Sequence, residues 1–169
     1  TLDSPLTITG ITKADPAVVT VTSHTFTAGD DLRITNVVGM TEVNKTPYVV
    51  GDILTNSFSL FSNTKLGSAI TAATTANPVV ITAVGHGLSD GDVIGAFNVV
   101  GMVEINANKY TVANKTADTF ELSGIDGTGF TAYTSGGDIR HAVSSTAYTT
   151  YVSGGEARER INVISGLDH

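Results

Sequence analysis

Short runs of β-branched and aromatic residues alternate with polar, glycine-rich turns along the whole chain. Residues 18–22 (VVTVT), 32–38 (LRITNVV), 48–50 (YVV) and 58–61 (FSLF) form one such series. Residues 79–84 (VVITAV), 93–100 (VIGAFNVV), 110–112 (YTV) and 120–122 (FEL) form a second. Runs of three to eight apolar-rich residues bounded by Gly, Asp and Asn predict strands and tight turns. The first run of each series follows Asp15-Pro16 or Asn77-Pro78, and proline steers the chain from a turn into extended structure. Only residues 155–161 hint at a helical period. The pattern predicts an all-β protein.

The two series are copies. Asn36–Met40 and Asn98–Met102 both read NVVGM, and a shift of 62 positions aligns residues 8–60 without a gap. His24 faces His86, Glu42 faces Glu104, Asn44 faces Asn106, Tyr48 faces Tyr110 and Phe58 faces Phe120. Identity at roughly two in five aligned positions marks an internal duplication of one structural unit. Gly39 and Gly101 share a register that predicts a bend with positive φ. The expected architecture is two tandem small antiparallel β-barrel or sandwich modules, at 1–68 and 69–140, followed by a C-terminal extension at 141–169. A unit of some sixty residues buries too little surface to be stable alone, so the modules are expected to pack together.

The copies are unequal at one point. Copy two carries a further candidate strand at 127–137 (GTGFTAYTSGG), with the closing strand itself expected at 129–135. Copy one has only the polar link 62–68 in its place. Residues 147–155 (AYTTYVSGG) echo the missing piece, so 147–152 is expected to form a strand that completes copy one, extends copy two or pairs with another chain.

Composition narrows the function. The 169 residues are 41% apolar, contain no cysteine and carry a net charge of −7. Disulfides, thiolate metal sites and cysteine nucleophiles are therefore ruled out. The basic residues are scattered, which argues against a phosphate-binding face and sequence-specific nucleic-acid recognition. No apolar run approaches the length of a membrane helix, so no membrane insertion is expected.

Candidate chemical groups have structural explanations. His24 and His86 sit in equivalent turns without ligand-spaced partners, and His141 and His169 have no counterparts. Asp30, Asp31, Asp90 and Asp92 flank Gly29 and Gly91, but Val93, Ile94 and Ala96 break a calcium-loop pattern. The glycine-rich 124–127 stretch with Gly129 lacks the Lys-Ser/Thr of a phosphate loop. Glu42 and Glu104 occur once per module rather than as a pair across one cleft. Tyr133, Tyr148 and Tyr151 suit strand packing, or an aromatic patch for a glycan or protein. No catalytic, cofactor-binding or metal residue is assigned, no cofactor is expected, and tight binding of Zn²⁺ or Ca²⁺ is not expected.

The residues around 85–92 (GHGLSDGD), 98–106 (NVVGMVEIN) and 119–137 (TFELSGIDGTGFTAYTSGG) resemble a β-barrel repeat of tailed-phage and prophage tail proteins. That repeat is in turn similar to the first catalytic-cysteine half-domain of ubiquitin-activating enzymes. The resemblance spans about residues 8–137. Copy one departs from it, with Ser23 and Thr25 in place of the glycines flanking His86. Residues 156–169 also resemble a stretch that follows such repeats in larger tail proteins. The resemblance implies a non-enzymatic structural module of a virion tail, made in the cytoplasm of a bacterial host. Implied partners are other tail proteins and copies of itself in a homo-oligomeric assembly. The alternative is an adhesion module for a bacterial surface glycan or receptor, serving host attachment.

Overall fold

The computed structural model describes residues 4–160. It is all-β, with two antiparallel sheets and two short 3-10 turns. The first sheet has the order β1 (Leu6–Thr7), β13 (Ser153–Glu159), β4 (Asp31–Val38), β5 (Pro47–Leu54), β6 (Ser57–Ser62), β3 (Val18–Thr20), β2 (Gly10–Ile11), and the second β12 (Ser135–His141), β9 (Val93–Val100), β10 (Lys109–Ala113), β11 (Thr119–Leu122), β8 (Val80–Thr82), β7 (Ala72–Ala73). Strands β1 (Leu6–Thr7) and β2 (Gly10–Ile11) are two halves of one segment. The first half pairs with β13 (Ser153–Glu159), the second with β3 (Val18–Thr20). Ile8 N–H donates to the Gly155 carbonyl and Thr9 N–H to the Thr20 carbonyl, at 3.0 and 2.9 Å. The N-terminal segment thus joins both edges of its own sheet and closes it as a barrel. Equivalent bonds, Ile70 N–H to Gly137 and Thr71 N–H to Thr82, both 2.9 Å, close the second. Closure leaves no long edge exposed among the described residues.

The repeat is reproduced element by element. β4 (Asp31–Val38), β5 (Pro47–Leu54) and β6 (Ser57–Ser62) correspond to β9 (Val93–Val100), β10 (Lys109–Ala113) and β11 (Thr119–Leu122). β3 corresponds to β8 (Val80–Thr82), which β7 (Ala72–Ala73) flanks. Gly39 and Gly101 both have φ of +91°, as their shared register predicts. Each barrel has its own apolar centre. Leu32, Ile34, Phe58 and Leu60 fill the first; Ile81, Ile94, Phe120 and Leu122 fill the second. Tyr48 and Tyr110 are buried at equivalent positions.

The closing strands lie further along the chain than the sequence suggests. In copy two the strand is β12 (Ser135–His141), not 129–135. In copy one it is β13, which also replaces the helical hint at 155–161 over its described part. Residues 147–152 are not a strand; they lead into one. β12 pairs with β9 and β13 with β4 in the same register, Ser135 opposite Val100 and Ser153 opposite Val38. The reason is the Gly-Gly step. Gly136, Gly137, Gly154 and Gly155 all have positive φ, so the strand bends at its start and the Tyr before it folds back over the barrel. Tyr133 Oη donates to the carbonyls of Ile70 and Gly136, and Tyr151 Oη to those of Ile8 and Gly154. Tyr151, not Tyr148, is therefore the equivalent of Tyr133.

The stretch read as a C-terminal extension, 141–169, thus supplies the last strand of the first barrel within its described part. Module one consists of residues 4–62 and 143–160, and module two lies between them. The chain passes between modules at two adjacent points. Phe61 and Ala142 form an antiparallel bridge, and Val143 N–H donates to the Leu60 carbonyl at 2.9 Å. Around this neck, Val49, Phe61, Phe97 and Ala107 form a third apolar cluster. Phe61 and Phe97 meet edge to face, with centroids 5.4 Å apart. Two glycines make room for them. A Cβ on Gly51 would collide with the Phe61 ring and lie 2.8 Å from the Ala107 carbonyl, and one on Gly95 would lie 2.8 Å from both rings. Arg140, buried and paired with Asp138 at 2.9 Å, donates from Nη1 to the carbonyls of Ser62 and Asn63.

Two outcomes follow from this arrangement. Removing residues 145–169 is expected to strip hydrogen-exchange protection from the Arg33 and Thr35 amides of β4, which lie opposite Arg158 and Glu156, while the equivalent Gly95 and Phe97 amides of β9, opposite β12, keep theirs. Gly51→Ala is expected to cost about 1–3 kcal/mol by overpacking, read as a lower urea midpoint, whereas Gly129→Ser, in open space and without positive φ, leaves the midpoint unchanged.

Candidate functional site

One open groove, of about 660 Å³, is lined by Ser23, His24, Phe26, Ile53, Leu54 and Thr55. The β5–β6 hairpin supplies one wall, and Leu54 near its tip is 67% exposed. His24 forms the floor. Its Nε2 lies 2.9 Å from the Leu54 carbonyl and 3.3 Å from that of Ser57, and its ring stacks on Phe26 and meets Phe58 edge-on. Its Nδ1 is buried without a hydrogen-bond partner.

The equivalent histidine shows why. His86 Nδ1 accepts from Leu88 N–H at 3.0 Å, and its Nε2 faces the Thr119 carbonyl at 3.3 Å. This pattern suits a neutral ring protonated on Nε2. Gly87, with φ of +70°, turns the next N–H toward the ring. Thr25 stands at that position in copy one and is not among the residues with positive φ, so the matching bond to Nδ1 is absent. The departure from the repeat seen in the sequence is thus a local loss of a turn bond.

The remaining candidates are occupied by the framework. Asp30 accepts from Thr27 N–H and Oγ1 at 2.6 and 2.8 Å, and Asp92 accepts from Ser89 N–H at 2.8 Å. Asp90 accepts from Lys115 N–H and Asp31 from Asn63 Nδ2. Each carboxylate fastens a different turn, and they do not converge. Among the described residues no three His, Asp or Glu side chains form a metal-holding group. In the glycine-rich stretch, Asp126 accepts from Thr128 Oγ1 and N–H, which holds its carboxyl below the usual range. His141 ends β12 and is half-buried; His169 lies outside the described residues.

Glu42 and Glu104 prove to be clamps. Glu104 Oε1 accepts from both Thr131 N–H and Oγ1 at 2.8 Å, and Glu42 Oε1 accepts from Thr149 N–H and Oγ1 at 2.9 and 3.0 Å. Each ties the segment leading into a closing strand to the 3-10 turn of its barrel. The bonds from Thr131, its backbone N–H first, hold the Glu104 carboxyl below its ordinary value of 4.5. The Asn residues two positions on, Asn44 and Asn106, each make a pair of side-chain bonds to a strand residue, Val37 or Val99. The sequence reading gave Glu42 and Glu104 a structural role but not these partners, Thr149 and Thr131. Tyr133 and Tyr151 spend their hydroxyls on backbone carbonyls and Tyr148 packs against the first core, so the three do not present a joint aromatic patch.

Residues 76–143 match the family model described as the ubiquitin-activating enzyme E1 FCCH domain. The matched stretch runs from the turn before β8 through β12, covering most of module two. No curated protein matches the chain.

Protonation of Glu104 is expected to weaken the second barrel. Because the folded value lies below the unfolded one, its contribution is present above the unfolded carboxyl range and is lost as pH falls through the folded value. Glu104→Gln should therefore flatten the acid side of the stability curve, read from urea midpoints across the acidic range. Addition of Ca²⁺ or Zn²⁺ is expected to shift the melting temperature by less than about one degree, since a ligand that does not bind the folded state cannot stabilise it.

Proposed function

We propose that this chain is a non-catalytic structural module of a phage tail protein, contributing to tail assembly or decoration. The observation that carries the reading is the use of its polar residues. The candidate carboxylates Asp30, Asp90, Asp92, Glu42 and Glu104 hold a turn or a closing segment. The matched FCCH domain is itself a non-catalytic part of the E1 enzymes. Two closed barrels with filled centres suit a rigid building block, and the resemblance of residues 85–137 to tail repeats supplies the virion setting. Neighbouring tail proteins and further copies of the chain are the proposed partners, in a symmetric assembly.

A second reading, adhesion to a bacterial surface, draws on one observation: the His24 groove with the exposed Leu54 beside it. Loops and hairpin tips on a rigid scaffold are common binding sites.

An antibody raised against the 169-residue chain distinguishes the outcomes on particles purified from an induced lysogenic culture. Labelling of tails in electron micrographs is expected. Purified particles lacking the antigen contradict the virion assignment. Binding of the isolated chain to host envelopes, lost in Leu54→Asp, would favour adhesion.

A further inference from the structure

The two modules match beyond the 62-residue repeat. After the neck, module one continues with residues 143–159, which repeat the bonds of 125–141 in module two. Ala17 N–H donates to Val143 as Val79 N–H does to Ile125. Ser145 N–H donates to Ala14 as Gly127 N–H does to Ala76, and Val152 N–H to Val38 as Thr134 N–H does to Val100. At the junction itself, Val143 N–H donates to Leu60 as Ile125 N–H does to Leu122. Residues 61–142, which comprise all of module two, therefore stand where module two has only the turn Ser123-Gly124.

We infer that the Ser123-Gly124 turn is an acceptor position for a further folded module of the same kind, equivalent to the position that module two occupies in module one. Three features support it. Both residues are exposed, and a Cβ on Gly124 would meet nothing within 4 Å. The bonds on either side, Leu122 to Val79 and Val79 to Ile125 at 2.9 Å, hold the barrel together across the turn. A passenger whose ends are already joined, as Phe61 and Ala142 are by their bridge, adds little loop-closure cost.

The seat beside the turn is different. Gly51 becomes Ala113 in module two and Val49 becomes Thr111. A Cβ at the Gly51 position collides with Phe61 and the Ala107 carbonyl of the docked module. A passenger at Ser123-Gly124 is thus carried but not docked, and Ala113→Gly opens the seat.

The test replaces Ser123-Gly124 in the full chain with a second copy of residues 61–142, with and without Ala113→Gly. In both chains the Asp138 and Arg140 amides of β12, opposite Phe97 and Gly95, are expected to exchange less than about tenfold faster than in the parent, given the small closure cost. The inserted copy should melt separately from its host where Ala113 is kept, and together with its host in the chain that also carries Ala113→Gly. Loss of β12 protection in both chains overturns the acceptor position. Identical melting of the two chains overturns the role of residue 113 in docking.

Discussion

The pairing of β4 with β13 is the contact on which the first barrel depends. Without it, the whole of Asp31–Val38 presents unpaired backbone groups on one side, and the N-terminal segment loses the partner of its first half. The barrel would open along these two edges, and the apolar centre around Leu32 and Ile34 would face water. The copy-one sequence up to residue 62 has no strand that meets this need. The chain meets it by building the second module first and then returning. Glu42 and Tyr151 secure the returning segment, one at the 3-10 turn and the other at Ile8 and Gly154.

That route dictates how the modules meet. Two chain crossings at one place make a neck, and a neck restricts relative motion more than a single linker does. The contact around it is small and aromatic, so it relies on close approach. Gly51 and Gly95 permit that approach, and Asp52 adds polar registration: its N–H donates to Ala107 and its Oδ1 accepts from Lys109 N–H. Asp52 adopts positive φ, which aims both groups at the neighbouring module. The surface left over carries exposed apolar residues such as Val84, Val103 and the neighbouring Val38 and Val152.

Much of this was legible in the residues. Val93–Val100 reads as a strand because its β-branched and aromatic residues sit between Gly91-Asp92 and Gly101, and the sheet has those same bounds. The need for a strand to finish copy one was also legible, from the polar link at 62–68. Its register was not. Matching Ala147-Tyr148-Thr149 to Ala132-Tyr133-Thr134 places the echo three residues off, because it weighs the more familiar strand residues. The better guide was Tyr-x-Ser-Gly-Gly-x-x-Arg, present at 133–140 and 151–158. Glycines score poorly as strand formers, yet here they permit the bend that starts the strand. Glu42 and Glu104 were recognised as structural, but their partners lie 107 and 27 residues away, and nothing local in the sequence points to them.

A cross-link tests the split first module most directly. Arg33 and Arg158 stand opposite each other on the exposed face of β4 and β13, in a chain without cysteine. The double variant Arg33→Cys, Arg158→Cys should be joined within one chain by a short bifunctional thiol reagent, because the two Cβ atoms of opposed residues on paired strands lie about 5.5 Å apart. The link should also raise the melting temperature of the first barrel. Failure to form the link, or a link only between two chains, would contradict the account that module one is completed by its own returning strand.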